Sequence, residues 1–165
     1  MEIKLIATDI DGVWTDAKMY YTNEGDYMKA FSTYDGMAVE VLRKKNIPVA
    51  IFTSENTQIV KQRAKKLKIK HVFINEKEKI KRMKYLCKKL NISIKDVAYI
   101  GDDLNDFELL KKVGLSGAPA NSPILSIFKP DIITNRIGGE GAFREFVDRI
   151  LSLNTLDTWL INIFK

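Results

Sequence analysis

The 165-residue chain has one cysteine, Cys87, one histidine, His71, four prolines and no apolar run of membrane-spanning length. A lone cysteine excludes an internal disulfide, and Cys87 stands at helical spacing among Met83, Leu86 and Leu90, as a core residue would. A zinc site of the common His/Cys kind lacks ligands. A serine–histidine–aspartate triad would have to recruit His71, which stands at the start of an expected strand. Ligands of parallel sheets instead gather at strand C-terminal ends. Any chemistry therefore falls to carboxylates, lysine and a metal. Residues 1–8 read as a strand and not as a charged region before an apolar signal segment, so a soluble cytoplasmic protein is expected.

Lysine and arginine outnumber aspartate and glutamate, 27 to 21, giving a formal charge of +6. That excess suits an anionic partner without choosing among nucleic acid, a membrane surface and a phosphorylated small molecule. The densest basic stretch, 61–70, has the pattern of an exposed helix face and no row of aromatics for base stacking. A solvated face is expected, with neither nucleic acid nor membrane as partner.

The length fits one compact domain spanning 1–165, and 45% hydrophobic residues suffice for its core. Short apolar runs at 3–8, 49–53, 72–74, 97–101, 114–116 and 132–134 alternate with helical patterns at about 37–45, 57–67, 77–90, 105–113 and 142–151. Such alternation is the mark of a parallel sheet covered on both faces, a three-layer Rossmann-like α/β fold. One segment departs from it: 17–21 and 27–31 read as a β-hairpin standing off the sheet, joined by the turn residues Thr22-Asn23-Glu24-Gly25-Asp26. The tail, about 152–165, repeats Leu153, Leu156, Leu160 and Ile163 at helical intervals, and is expected to pack on its own domain or on a second subunit.

Asp9-Ile10-Asp11-Gly12-Val13 follows the first strand and places two carboxylates at the edge where α/β sheets bind ligands. Residues two apart in an extended chain point the same way, so both acids can face one site, where a divalent cation would relieve their repulsion. The plainer alternative is a polar loop shaped by Gly12. A second cluster, Gly101-Asp102-Asp103-Leu104-Asn105-Asp106, follows the strand at 97–101 and opens a helix. One cap does not need three aspartates, and metal binding explains the excess. Thr53 and Ser54 close another strand, where a hydroxyl and backbone N–H groups can hold phosphate oxygens. Lys79, just beyond the strand at 72–74, reads either as a solvated lysine or as a phosphate counter-ion.

The order of acid pair, hydroxyl, lysine and acid cluster resembles the four motifs of the haloacid dehalogenase superfamily of phosphatases. The resemblance implies that Asp9 attacks phosphorus to form an aspartyl-phosphate, while Asp11 protonates the leaving alcohol and later activates water. It also implies Mg²⁺ held by the Asp9 carboxylate, the Asp11 main-chain carbonyl and Asp102. Thr53 and Lys79 would bind the transferring group, Asp103 would orient Lys79, and Asp106 would serve behind the metal ligands or only as a helix residue.

Neither gap between the early motifs has room for a cap domain, so the chain looks like the capless branch, whose members close their sites with neighbouring subunits of a tetramer. Asp11-Gly12-Val13-Trp14-Thr15-Asp16, Val97-Ala98-Tyr99-Ile100-Gly101-Asp102-Asp103 and Gly138-Gly139-Glu140-Gly141-Ala142-Phe143-Arg144-Glu145 resemble the sugar-acid phosphatases of 3-deoxy-octulosonate 8-phosphate and of nine-carbon ulosonate 9-phosphates. The glycine-rich segment is either a turn before the last helix or a cover for a neighbouring site. Thr53-Ser54-Glu55 stands where the octulosonate enzymes read threonine-glycine-arginine. Glu55 with Arg63 and Lys66 resembles the set that recognises the sugar acid in ketodeoxynononate-type enzymes, with Ser54 beside it. The resemblance therefore favours a nonulosonate 9-phosphate, with 3-deoxy-octulosonate 8-phosphate as the alternative. Two departures, Ser54 for a glycine and Ile74-Asn75 for a glutamine-glycine pair, touch loops near the phosphate. An inactive scaffold or a phospho-receiver-like module is the rival from another class. Intact Asp9 and Asp11 argue against the scaffold, and motif order argues against a receiver, which places its phosphoacceptor on a middle strand and has no counterpart of Asp11 as acid/base group.

Overall fold

Successive side chains of a strand face opposite sides, so a strand apolar throughout needs cover on both faces. The computed structural model describes residues 2–151. Its strands are β1 (Leu5–Thr8), β2 (Tyr20–Thr22), β3 (Gly25–Met28), β4 (Val49–Phe52), β5 (His71–Phe73), β6 (Val97–Ile100), β7 (Leu115–Ala118) and β8 (Ile132–Ile133). Its helices are α1 (Thr33–Lys44), α2 (Gln58–Lys66), α3 (Lys79–Leu90), α4 (Phe107–Leu110) and α5 (Ala142–Ile150). Six strands pair in the order β5-β4-β1-β6-β7-β8, all parallel.

Alternation sorts the core into two layers. Leu5, Ala7, Phe52 and Tyr99 pack with Met83, Leu86 and Cys87 of α3 and Leu109 of α4. Ile6, Ile51 and Ile100 pack on the other face with Leu42 of α1, Val60 of α2 and Phe146 of α5. The fold is thus the expected three-layer α/β sheet, and Cys87 is an ordinary core residue whose thiol pKa is pushed up by burial, with the Asp96 charge adding to it. Thr8 pairs with both Ile51 and Ile100, so β1, β4 and β6 end at one level and deliver their following loops to one edge.

Several boundaries move for local reasons. The first helix begins at Thr33 and not near 37, because Ser32 caps it by accepting from the Tyr34 N–H. The helix expected at 105–113 is instead a 3-10 turn, Leu104–Asp106, leading into a single α-turn, α4. Asp103 and Asp106 form a capping box around that turn, which ties the chain down before a regular helix can run. The hairpin is shorter than expected: β2 and β3 pair antiparallel with Thr22 opposite Gly25, and Gly25 takes φ +108° at the turn. Between β1 and β4 lie only this hairpin and α1, leaving no cap domain there. No described helix is long and apolar enough to cross a membrane. The expected tail, 152–165, lies outside the described residues.

Candidate active site

The loop after β1 is held from within. The N–H groups of Val13, Trp14 and Thr15 all donate to the Ile10 carbonyl, and the Trp14 indole N–H reaches the Thr8 hydroxyl at 3.0 Å. Trp14 is fully buried against Phe143. Gly12 is required twice over: its φ is +84°, and a Cβ there would stand 1.9 Å from Asp102 Oδ2. The two acidic loops therefore touch through this glycine. Gly138 closes the far side, where a Cβ would lie 2.0 Å from the Gly12 carbonyl, so the glycine-rich segment packs on the chain's own acid loop.

Asp9 is buried, accepts from its neighbour's N–H at 2.7 Å, and pairs with Lys79 Nζ at 2.8 Å. Lys79, the first residue of α3, is 2% exposed and also pairs with Asp106 at 2.7 Å. Burial opposes the ammonium, but Asp9 and Asp106 outweigh it and hold the Lys79 pKa above its ordinary value. Asp106 further accepts from the Tyr99 hydroxyl and from the N–H groups of Asp102 and Asp103. The partner that orients Lys79 is thus Asp106. Asp103, expected in that role, is exposed and caps the 3-10 turn, because it precedes the bend that turns Asp106 inward.

Asp9, Asp102 and Asp106 each offer a carboxylate oxygen within 4.8 Å of the others and could hold a metal ion. Burial, then the charges of Asp106 and Asp103, lift the Asp102 pKa to about 7, with Lys79 pulling the other way. Burial and Asp106 likewise raise Asp9 well above the carboxylate range, against the pull of Lys79. Crowded, desolvated carboxylates of this kind fit a divalent cation, which relieves their repulsion. Both Asp106 oxygens are already engaged, by Lys79 and by the Asp102 N–H, and both Asp9 oxygens are engaged too, by the Ile10 N–H and by Lys79.

A pocket of about 390 Å³ opens over this edge, lined by Asp9, Asp11, Thr53, Ser54, Glu55 and Asp102 among others. Thr53 is buried, its N–H spent on the Phe73 carbonyl and its hydroxyl accepting from the Glu55 N–H at 3.2 Å. Ser54 bridges the Glu76 carbonyl and the Asn105 amide. Arg63 does not join them: it donates to the Ser32 carbonyl at 3.2 Å and stacks over Phe31. Lys66 is exposed on α2 and lines no part of this pocket. A second pocket, about 290 Å³, lies at the amino ends of β4 and β5 beside His71 and contains no carboxylate.

Sequence reasoning missed Lys29 and Tyr99. Lys29 Nζ lies 2.5 Å from Asp11 Oδ1 with its side chain 1% exposed. Tyr99 stands mid-strand, where period-two alternation marks it as inward but says nothing of its hydroxyl. No local signal distinguishes Lys29 from Lys18 of the same hairpin segment, since only the folded hairpin brings it over Asp11.

Comparison with known proteins places this geometry in a family. A family model described as haloacid dehalogenase-like hydrolase matches residues 71–135. The chain is 39% identical over 149 residues to 3-deoxy-D-manno-octulosonate 8-phosphate phosphatase KdsC of Salmonella typhi, covering 90% of this chain and 79% of that protein. Among solved structures, it resembles the 3-deoxy-D-manno-octulosonate 8-phosphate phosphatase of Moraxella catarrhalis in complex with magnesium, phosphate and KDO. That match has a TM-score of 0.90 and 35% identity, over 99% of this chain and 94% of the other. The cobalt-bound deoxy-D-mannose-octulosonate 8-phosphate phosphatase of Haemophilus influenzae matches with a TM-score of 0.89 and 33% identity, over 96% and 97% of the two chains. With matches of this identity over nearly its whole length, the chain belongs to the haloacid dehalogenase-like hydrolases, in their capless sugar-acid phosphatase branch.

Proposed function

We propose that the chain hydrolyses 3-deoxy-D-manno-octulosonate 8-phosphate to the free sugar acid and phosphate, as a soluble enzyme of the cytoplasm. The observation that carries this reading is one pocket lined by Asp9, Asp11, Thr53 and Asp102, with Lys79 paired to Asp9 beneath it. Asp9 attacks phosphorus while the bond to the sugar oxygen breaks, and Asp11 gives that oxygen its proton. Asp11 then takes a proton from the water that releases phosphate from Asp9. Thr53 and Lys79 bind the transferring group, with Lys79 kept protonated and aimed by Asp106. The Asp9 and Asp102 carboxylates and the Asp11 main-chain carbonyl would hold magnesium, which would supply positive charge against the phosphate oxygens.

The eight-carbon substrate is preferred over the nonulosonate 9-phosphate on two grounds. Relatives matching 90% of the chain carry the eight-carbon name. Of the three residues that favoured nine carbons, only Glu55 lines the pocket of its own chain; Arg63 donates to Ser32 at the root of the hairpin and Lys66 is exposed, so a single chain does not assemble the set. Tyr21, Tyr27 and Met28 stand exposed on the hairpin, an apolar patch that a second copy would cover. That patch supports a homotetramer whose subunits close one another's sites.

Phosphate release with magnesium from both sugar-acid phosphates tests the reading. Expected is a kcat/KM at least about tenfold higher for the eight-carbon substrate, the scale on which a pocket resolves substrates differing by one group. Preference for the nine-carbon substrate overturns the choice of sugar, and no release from either overturns the phosphatase reading.

A further inference from the structure

The chemistry proposed above gives no role to Lys29, a buried cation. Lys29 follows β3, where a lysine would ordinarily reach into water, as Lys18 does at 71% side-chain exposure. Instead its side chain is 1% exposed and its ammonium rests on Asp11. Burying an ammonium forfeits hydration and rotamer freedom, which a single ion pair with a partly exposed acid repays poorly. Stability alone therefore gives little reason to place it there.

The surroundings of Asp11 supply a reason. Its main chain is fixed by the bonds around Ile10, and the Gly12 N–H reaches the Thr15 hydroxyl at 3.4 Å. Among the described residues the carboxyl has a single anchor, Oδ1 on Lys29, while Oδ2 is buried without a hydrogen-bond partner. A carboxyl tethered by one oxygen keeps its torsion, and Asp11 lines the pocket over the sheet edge. We infer that Lys29 is a positioning residue, which holds Asp11 by Oδ1 and so fixes the carboxyl that meets the departing sugar oxygen. The inference rests on Asp11 acting as the proton donor proposed above.

In that step the bond from phosphorus to the sugar oxygen breaks with its electron pair left on oxygen. The proton on Asp11 moves to that oxygen, and an Asp9 oxygen bonds to phosphorus. Lys29 gives up no proton and touches no reacting atom. A carboxyl that has swung aside cannot protonate the leaving oxygen in time. An alkoxide leaving group suffers heavily from that loss, whereas 4-nitrophenolate leaves readily without a proton.

The test compares kcat/KM for 3-deoxy-D-manno-octulosonate 8-phosphate with kcat/KM for 4-nitrophenyl phosphate, in wild type, Lys29→Met, Lys29→Arg and Lys18→Met. Both values come from the same preparation, so their ratio is independent of the fraction that folds. Expected is a fall in the sugar-to-aryl ratio of at least about tenfold for Lys29→Met, since positioned proton transfer contributes roughly 10²–10⁴-fold. Lys29→Arg restores part of the ratio, and Lys18→Met leaves it unchanged. Any smaller change in the Lys29→Met ratio overturns the inference, because a merely structural lysine lowers both rates together. If wild type releases phosphate from neither compound, the proposed function fails first. An active wild type with an unmoved ratio sinks Lys29 alone.

Discussion

Asp106 and Asp35 are both fully buried, and they are partnered in opposite ways. At the carboxyl edge of the sheet, Asp106 meets Lys79, the Tyr99 hydroxyl and two backbone N–H groups. Where α1 packs on α5, Asp35 accepts one bond, from the Arg144 N–H at 2.9 Å, and its second oxygen has no hydrogen-bond partner among the described residues. Burial lifts the Asp35 pKa to about 6, in spite of the Arg144 N–H and the arginines at 136, 63 and 144. The same side chain at the same depth is thus partnered at both oxygens in one region and at only one in the other. Burial alone does not mark a working carboxylate; its partners do.

The comparison breaks most visibly at the first region. Asp9→Asn is expected to cut phosphate release by more than about 10³-fold, the scale on which removal of a nucleophile acts. Its fold survives, because burial and the charge of Asp106 already oppose ionisation at that position. Circular dichroism and phosphate release on one preparation check both halves, and near-normal turnover would remove Asp9 as nucleophile.

A sharper cut separates neighbours within the acid cluster. Asp106→Asn keeps the shape but weakens the partner of Lys79, and kcat is expected to fall roughly 10–100-fold, as when an orienting group behind a ligand is lost. Asp103→Asn is expected to change kcat by less than about threefold, because asparagine caps a helical turn as well as aspartate does. The reverse order of effects would return the orienting role to Asp103.

Why the sequence misplaced that role is a matter of geometry. The strand–loop–helix alternation, the parallel sheet and the acids at its edge were legible because each rests on local period and position, as at residues 97–101. Which of Asp103 and Asp106 faces Lys79 depends on the 3-10 turn between them, one residue tighter per bond than the expected α-helix. Thr53, Lys79 and Asp102 were singled out from their places beside strand ends. Lys29 was not, because its contact with Asp11 spans the whole hairpin and leaves no spacing signal. Arg63 shows the same dependence on the fold: the start of α1, four residues earlier than expected, puts Ser32 and Phe31 within its reach.

The smallest effect is in the second region, and its sign is the opposite of a normal paired acid. Below the ordinary value of 3.8, folded and unfolded chains both carry the Asp35 proton. Between 3.8 and about 6 only the folded chain keeps it, so stability falls as pH rises through this window. Above about 6 both forms are ionised and the full cost persists. Asparagine cannot titrate, and its side-chain oxygen can still accept from the Arg144 N–H. Asp35→Asn should therefore gain on wild type by about 2 kcal/mol between about pH 4.5 and about pH 8, from roughly 1.4 kcal/mol for each pH unit of the window crossed. Urea unfolding of both proteins at the two pH values measures this, and taking the difference cancels any packing change the amide introduces. If the gap does not widen with pH, Asp35 is paired as well as Asp106, and the contrast between the two regions is lost.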